Sequence, residues 1–362
     1  LKKVAIIGSA GIPPRYGGFE TLVQNLVTAL QKEFMFFVYC SRRLYSKRER
    51  PAHQYDARLI YLPVNPNGPQ SIIYDLMSLI HAARKVDVLL ILGVSGCLFL
   101  PLVKLFSSGK IITHIDGLEW KRKKWNPLVK LFLKLSEAMA IKYSDEIVAD
   151  NEAIKSYIMN KYNIEPRLIE YGGEHAVILP AAKDIREGYI TDRRKYALAV
   201  SRIEPENNIH VILSAFSEMP SSNIVIVGNW KNSRYGKGLR KKYADYTNIS
   251  MYNPVYDQDT INTLRKGCGI YIHGYSAGGT NPSLVEAMYA GKPVIAYDIV
   301  FNRVTTMNRA FYFKSKDDLV LLLNNLTVRQ LDEKGKDLKE VAFRKYRWKA
   351  VTEKYAGLFN QR

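Results

Sequence analysis

Cysteine is scarce in this chain: Cys40, Cys97 and Cys268 are the three among 362 residues. An odd, widely separated set excludes a disulfide framework and offers no metal-ligand spacing, so a reducing, cytoplasmic location is expected. Long hydrophobic runs are also missing. The uncharged stretch 88–103 holds sixteen residues and is interrupted by Gly93, Gly96 and Pro101, short of the roughly 20 that a bilayer core needs. A buried strand ending at Leu92, then a turn and a helix, accounts for it. The chain opens directly in a strand, so no signal peptide is expected. No solenoid repeat and no low-complexity tract are present. The glycines of the first loop do not fall as GxGxxG, and no carboxylate ends the second strand, which argues against a dinucleotide oxidoreductase. Acidic residues are few as well: 34 against 53 Lys and Arg, a net charge of +19 spread over both halves. No nucleic-acid-binding signature accompanies that charge, so nucleic acid is not an expected partner.

What is present is a serial alternation of short apolar runs and helical periods. One series lies at residues 4–7, 35–39, 58–62, 88–92, 110–114 and 146–149. A second lies at 196–201, 223–228, 249–252, 270–273, 294–297 and 310–313. Two such series predict an α/β protein with two doubly wound parallel sheets. The polar stretch 181–194 is the expected linker, giving domains at 1–180 and 181–362. After Tyr312 the pattern is helical to the end, where Trp348, Val351, Tyr355 and Phe359 share one face.

The densest motif is IHGYSAGGTNPSLVEAMYAGKPVIAYD, beginning at Ile272. Residues 276–280 form a small-residue loop that lets backbone approach a ligand. Asn281 caps a helix with Pro282 at its first position, where a missing N–H is harmless. The amides of Gly279, Thr280 and Ser283 would then face an anion, with Glu286 one turn in. An ordinary helix of a parallel sheet is the plain alternative. A second strand, long glycine loop and helix start occurs at residues 4–20, where Gly17 and Gly18 allow close contact at the helix tip.

Ligands of a doubly wound fold lie at the carboxyl ends of strands. Arg202 stands there in SRIEPENN and suits a leaving diphosphate. Asp116 and Glu119 follow the strand at 110–114; a carboxylate there can accept a proton from an attacking hydroxyl, and a turn-forming Asp before Gly117 is the alternative. His273 ends its strand beside the glycine loop and can meet a sugar hydroxyl, though a lone histidine is also common in a core. Basic residues cluster at 42–50 and 121–124. The second cluster runs into Trp125, Leu128, Val129, Leu131, Phe132, Leu133 and Leu135, which fits either peripheral contact with an anionic membrane surface or a core helix with a solvated charged edge.

Together GSAGIPPRYGGFETLV, IDGLEWKRKKW, VADNEAIKSYI, SRIEPENNI, VGNW and HGYSAGGTNPSLVEAM resemble a bacterial group of retaining GT-B glycosyltransferases related to capsule and O-antigen rhamnosyltransferases. The resemblance runs from Lys2 to about Tyr346. It implies two Rossmann-like domains facing across a cleft, with a nucleotide-sugar donor held mainly by the C-terminal domain and an acceptor by the N-terminal one. The C-terminal helices are expected to return to the N-terminal domain.

The implied reaction moves a sugar, L-rhamnose from dTDP-L-rhamnose being the best match, onto a polyprenyl-diphosphate-linked saccharide at the inner membrane face. No cofactor and no metal are implied. The residues this assigns to the donor are Gly17, Gly18, Arg202, His273, Gly278, Gly279, Thr280, Asn281, Ser283 and Glu286. Asp116, Glu119 and Trp120 fall to the acceptor, and Asp116, Arg202 and Glu286 to catalysis.

Two positions depart from the wider superfamily. Gly278 stands where a first glutamate is usual, and Asn207 where a lysine is usual, leaving Lys231 or Arg234 as substitute cations. A nucleotide-sugar epimerase and a non-catalytic sugar-nucleotide-binding protein are the competing readings.

Overall fold

The computed structural model describes residues 1–15, 17–122, 125–176 and 196–361. The polar stretch 181–194 lies outside them. Contacts divide the chain into two units: residues 1–121, 125–171 and 348–362 in the first, residues 122–124 and 172–347 in the second.

The first unit is an eight-stranded sheet with the order β3-β4-β2-β1-β5-β6-β7-β8. Its strands are β1 (Lys2–Ile7), β2 (Phe34–Ser41), β3 (His53–Gln54), β4 (Ala57–Leu62), β5 (Val88–Leu92), β6 (Lys110–Ile115), β7 (Glu146–Ala149) and β8 (Arg167–Leu168). All pairs are parallel except β3 with β4. β5 is buried at every residue, as a strand covered on both faces must be, and this is why such strands read as unbroken apolar runs. The two-residue strands β3 and β8 carry too few residues to show any periodicity, and neither was legible in the sequence. Helices α1 (Gly18–Leu30), α2 (Ser71–Ala82), α3 (Leu100–Phe106), α4 (Pro127–Tyr143) and α5 (Glu152–Tyr162) make the crossovers.

The second unit is a six-stranded sheet with every pair parallel, in the order β11-β10-β9-β12-β13-β14. The strands are β9 (Tyr196–Val200), β10 (Asn223–Val227), β11 (Ile249–Tyr252), β12 (Ile270–His273), β13 (Val294–Tyr297) and β14 (Phe311–Phe313). Around them lie α6 (Ile209–Ser217), α7 (Arg234–Lys242), α8 (Gln258–Gly267), α9 (Pro282–Tyr289), α10 (Val300–Thr305), α11 (Lys316–Asn325) and α12 (Val328–Lys345). The chain ends in α13 (Trp348–Asn360), which belongs to the first unit and buries Trp348, Val351, Tyr355 and Phe359 in its core.

Strand order reverses at β1 in the first sheet, flanked by β2 and β5, and at β9 in the second, flanked by β10 and β12. A doubly wound sheet opens a crevice at the carboxyl ends of strands where its order reverses. Among the described residues no helix is long and apolar enough to cross a membrane.

Candidate functional site

In the second unit the loops after β9 and β12 are tied together. Ser276 donates through its backbone N–H and its hydroxyl to the Glu206 carbonyl, both at 2.8 Å, and Asn208 Nδ2 donates to the Gly274 carbonyl at 2.8 Å. Gly274 is required by that approach, since a Cβ there would stand 2.1 Å from the Asn207 carbonyl oxygen. Gly278 and Gly279 then take φ of +105° and +77°, a left-handed backbone that other residues adopt only under strain. Asn281 caps α9 with Pro282 following. Its side chain already accepts the Ser283 N–H at 3.0 Å, so the Ser283 amide expected to face an anion is engaged by the cap.

Glu286, one turn into α9, is buried and held by two groups that the sequence did not single out. Arg265 from α8 forms a very short ion pair with its Oε2, and His175 Nε2 lies 2.9 Å from its Oε1. Burial alone pushes this carboxyl up, but Arg265 and His175 more than offset that and the net shift is downward. The group is therefore an ionised acceptor in a low-dielectric surrounding. Arg265 is itself braced by Asn262 Oδ1 at 3.2 Å.

His273 closes β12. It is buried, stacks on Tyr271 with centroids 6.2 Å apart, and its Nε2 has no hydrogen-bond partner among the described residues. Burial pushes the imidazole down to about 3, so it is neutral at physiological pH and can exchange a hydrogen bond with a hydroxyl. Arg202 is exposed just beyond β9, and the substitute cations Lys231 and Arg234 are exposed beyond β10. Asn207 is buried in the same turn as Arg202. Glu206, also missed, is buried with neither carboxylate oxygen hydrogen-bonded among the described residues. Unpaired buried carboxylate oxygens are costly.

In the first unit the carboxyl ends of β1, β5 and β6 gather a second set. Gly17 caps α1 without a side-chain bond. Glu20, a turn after Gly17 and Gly18, accepts the Ala10 N–H at 2.6 Å and closes the glycine loop on itself. His114 in β6 bonds Tyr355 Oη through Nδ1 at 2.6 Å, packs edge-on against Phe19 at 5.4 Å, and leaves Nε2 without a partner among the described residues. Burial pushes it too down to about 3. Asp75 of α2 is fully enclosed and very closely bonded by the Ser95 hydroxyl; burial pushes it up to about 7 against that bond.

Asp116 is half-buried directly after β6, and Glu119 and Trp120 form a short turn behind it. Trp120 has its indole N–H committed to Glu137 Oε2 at 3.0 Å. Glu137 is saturated by Tyr157, Lys161 and Tyr162 at 2.6, 3.0 and 2.7 Å, and the Trp120 ring already carries Lys121, Lys134 and Lys161 at 5.4, 4.7 and 5.7 Å from its centroid. In the basic cluster, Lys121 is exposed. Arg122, grouped with the second unit, is buried and donates to Tyr275 Oη at 3.2 Å. Arg122 is a structural group and not one offered to solvent; Lys123 and Lys124 lie outside the described residues. Also among those residues, no three His, Cys, Asp or Glu side chains are grouped as a metal site would require.

Comparison with known proteins fits this arrangement. Residues 1–174 match a family described as a domain of unknown function, DUF1972, and residues 181–342 match the family described as glycosyl transferases group 1. Over its full length the chain is 22% identical to an uncharacterized glycosyltransferase, MJ1069, of Methanocaldococcus jannaschii, covering 99% of that protein. The second half of the chain thus carries a glycosyl transferases group 1 domain.

Among solved structures, sucrose-phosphate synthase from Thermosynechococcus elongatus superposes with a TM-score of 0.82 at 16% identity, covering 100% of this chain and 99% of the other. Anabaena Alr3699/HepE in complex with UDP-glucose gives 0.78 at 14% identity, covering 99% of each. The protein thus has the GT-B fold, with two Rossmann-like domains.

Proposed function

We propose that this protein is a glycosyltransferase that holds a nucleoside-diphosphate sugar on its second unit and an acceptor saccharide on its first, and transfers the sugar with retention. The observation that carries the donor assignment is the β12–α9 loop. It joins two left-handed glycines, a capped helix start and an ionised Glu286 clamped by Arg265. The relative bound to UDP-glucose supports a donor of this class.

In the proposed reaction the bond from the anomeric carbon to the diphosphate breaks and the acceptor oxygen bonds to that carbon on the same face. The hydroxyl proton passes to Asp116. Arg202 and the loop amides of Gly279 and Thr280 take up the charge on the leaving diphosphate, the kind of stabilisation that dominates such barriers. Gly17 and Gly18 add a second wall. Glu286 and His273 orient ribose or sugar hydroxyls, and Glu119 and Trp120 seat the acceptor. Arg202 together with Lys231 or Arg234 offsets the diphosphate charge without a metal ion.

The donor that best suits the sequence is dTDP-L-rhamnose, and the acceptor a polyprenyl-diphosphate-linked saccharide of bacterial surface polysaccharide synthesis. The protein would work in the cytoplasm, with the basic run at 121–135 contacting the anionic inner face of the membrane. Incubation with a panel of nucleotide sugars, dTDP-rhamnose and UDP-glucose among them, with and without membrane extract, tests this reading. Nucleoside diphosphate release that depends on both dTDP-rhamnose and extract is the expected outcome. Release with UDP-glucose alone among the donors would replace the sugar. An epimer without acceptor would make the protein an epimerase, and binding without turnover would make it a non-catalytic module.

A further inference from the structure

The crossovers of the first sheet place three helices side by side. β4 to β5, β5 to β6 and β6 to β7 all step in the same direction along the sheet. Right-handed crossovers therefore put α2, α3 and α4 on one face, while the step from β1 to β2 runs the other way and puts α1 on the opposite face. Contacts agree: α3 packs on α4, and the Arg84 guanidinium just past α2 lies over the Phe106 ring at the end of α3, 5.3 Å from its centroid.

Each of the three helices buries one side and also carries apolar residues outward. On α2 these are Ile73, Met77 and Ile80, spaced i, i+4, i+7; on α4 they are Leu128, Leu131 and Leu135, spaced i, i+3, i+7. On α3, between them, Leu105 and Phe106 are exposed. Ile80 is 67% exposed, Leu105 75% and Leu128 78%. Single exposed leucines mean little, but exposed apolar residues on three helices of one sheet face, at helical spacing on α2 and α4, mark an interaction site.

Charge on this surface selects the occupant. The three helices contain two acidic residues, Asp75 and Glu137, and both are buried. The exposed charges on the helices themselves are basic, Lys104, Lys134 and Lys142; Arg84, Lys85 and Lys121 flank them, as do the acidic Asp87 and Asp145. Lys104 pairs with Asp145 at 2.5 Å at the rim. Lys121 and Lys134 stand over the Trp120 ring at 5.4 and 4.7 Å, an aromatic-and-lysine edge of the kind that sits at a headgroup boundary. A second copy of the chain would set lysine against lysine. A surface of anionic headgroups over acyl chains meets both the apolar stripes and the basic edge.

We infer that the outer face of α2, α3 and α4 is a monotopic docking surface that inserts its apolar stripes into an anionic bilayer. This goes beyond the contact proposed for residues 121–135, in which attraction by charge suffices, and rests on that reading only for the cellular setting. The test is vesicle sedimentation with phosphatidylglycerol/phosphatidylcholine and pure phosphatidylcholine vesicles at low and high salt. It uses wild type and the triple variant Ile80→Ser, Leu105→Ser, Leu128→Ser, with the melting temperature and the oligomeric state in solution measured beside it.

Wild type should bind the anionic vesicles and keep part of that binding at high salt. The triple variant, with an unchanged melting temperature, should bind at least about tenfold more weakly at both salt concentrations, as expected when three large apolar side chains no longer enter the lipid. Equal binding by a folded triple variant would overturn the proposal, as would a wild-type dimer that the triple variant converts to monomer. If the triple variant melts early, the single variants Leu105→Ser and Leu128→Ser, each expected to weaken binding, carry the same decision. Vesicle binding needs no turnover, so its failure in a protein that still releases nucleoside diphosphate would sink the docking surface and leave the transferase reading intact.

Discussion

The carboxyl edges of the two sheets hold the same group in different company. Each presents a buried, neutral histidine with an open Nε2, His114 in the first unit and His273 in the second. Their carboxylates are in opposite states. Glu286 is ionised by Arg265 and His175, whereas Asp75 has a hydroxyl for company and is pushed up to about 7 by burial. The second unit is built to carry fixed charge, which suits a nucleotide donor. At the first, His114 is neutral and Asp75 is pushed toward its neutral form, which suits the hydroxyls of a saccharide.

The largest expected effect comes from breaking the charged pair. Arg265→Met leaves Glu286 buried with His175 in place of a fixed counter-charge, and should cost about 3–5 kcal/mol in denaturant unfolding. The double variant Arg265→Met, Glu286→Leu should recover most of that. Read from sequence alone, Glu286→Gln would weaken donor binding with an unchanged melting temperature; the ion pair predicts that the melting temperature falls, because Arg265 loses its counter-charge. An unchanged stability in both single variants would remove the contrast between the units.

Next in size is Arg202→Ala. Arg202 is exposed, so folding should be unaffected while turnover drops at least about 100-fold, the range for one transition-state donor. Near-normal turnover would move the diphosphate cation elsewhere in the unit.

Asp75 sharpens the other side of the comparison. Its folded pKa of about 7 lies above an unfolded value of about 3.9, so the native state binds the extra proton between those limits. Stability contributed by this group therefore falls as pH rises from about 4 to about 7 and stays low above that. Asp75→Asn should remove this slope and stabilise the protein at pH 8 by on the order of 2 kcal/mol or more, measured by denaturant unfolding across the pH range. A slope that persists in the variant would mean that another group carries it.

The smallest effect tests the division of labour. Asp116→Asn should abolish transfer yet leave nucleotide affinity by calorimetry within about threefold, under roughly 0.7 kcal/mol. A collapse of nucleotide affinity would place Asp116 with the donor or the fold.

Apart from β3 and β8, the strands of both sheets were legible because a parallel strand covered on two faces must be apolar along its whole length, as Val88–Leu92 is. The β12–α9 motif was legible for a related reason. Gly278, Gly279, Asn281 and Pro282 are dictated by their own backbone positions, so local chemistry was enough to find the loop and its cap. Glu206 could have been noticed as a second carboxylate in the Arg202 motif, but its burial without partners has no sequence signature.

By itself, then, the sequence determined the alternation of elements, the glycine loops, the cap of α9 and the excess of basic charge, all properties of residues within a turn or two of one another. Tertiary structure alone decided that Arg265 and His175 clamp Glu286, that Tyr355 holds His114 across 241 positions, that Arg122 is buried, and that α2, α3 and α4 lie on one side of the sheet with apolar residues outward. The reason is physical. A hydrogen bond, an ion pair or an exposed stripe depends on which helix faces which strand after packing, and in these two sheets that is fixed by crossovers joining residues far apart in the chain.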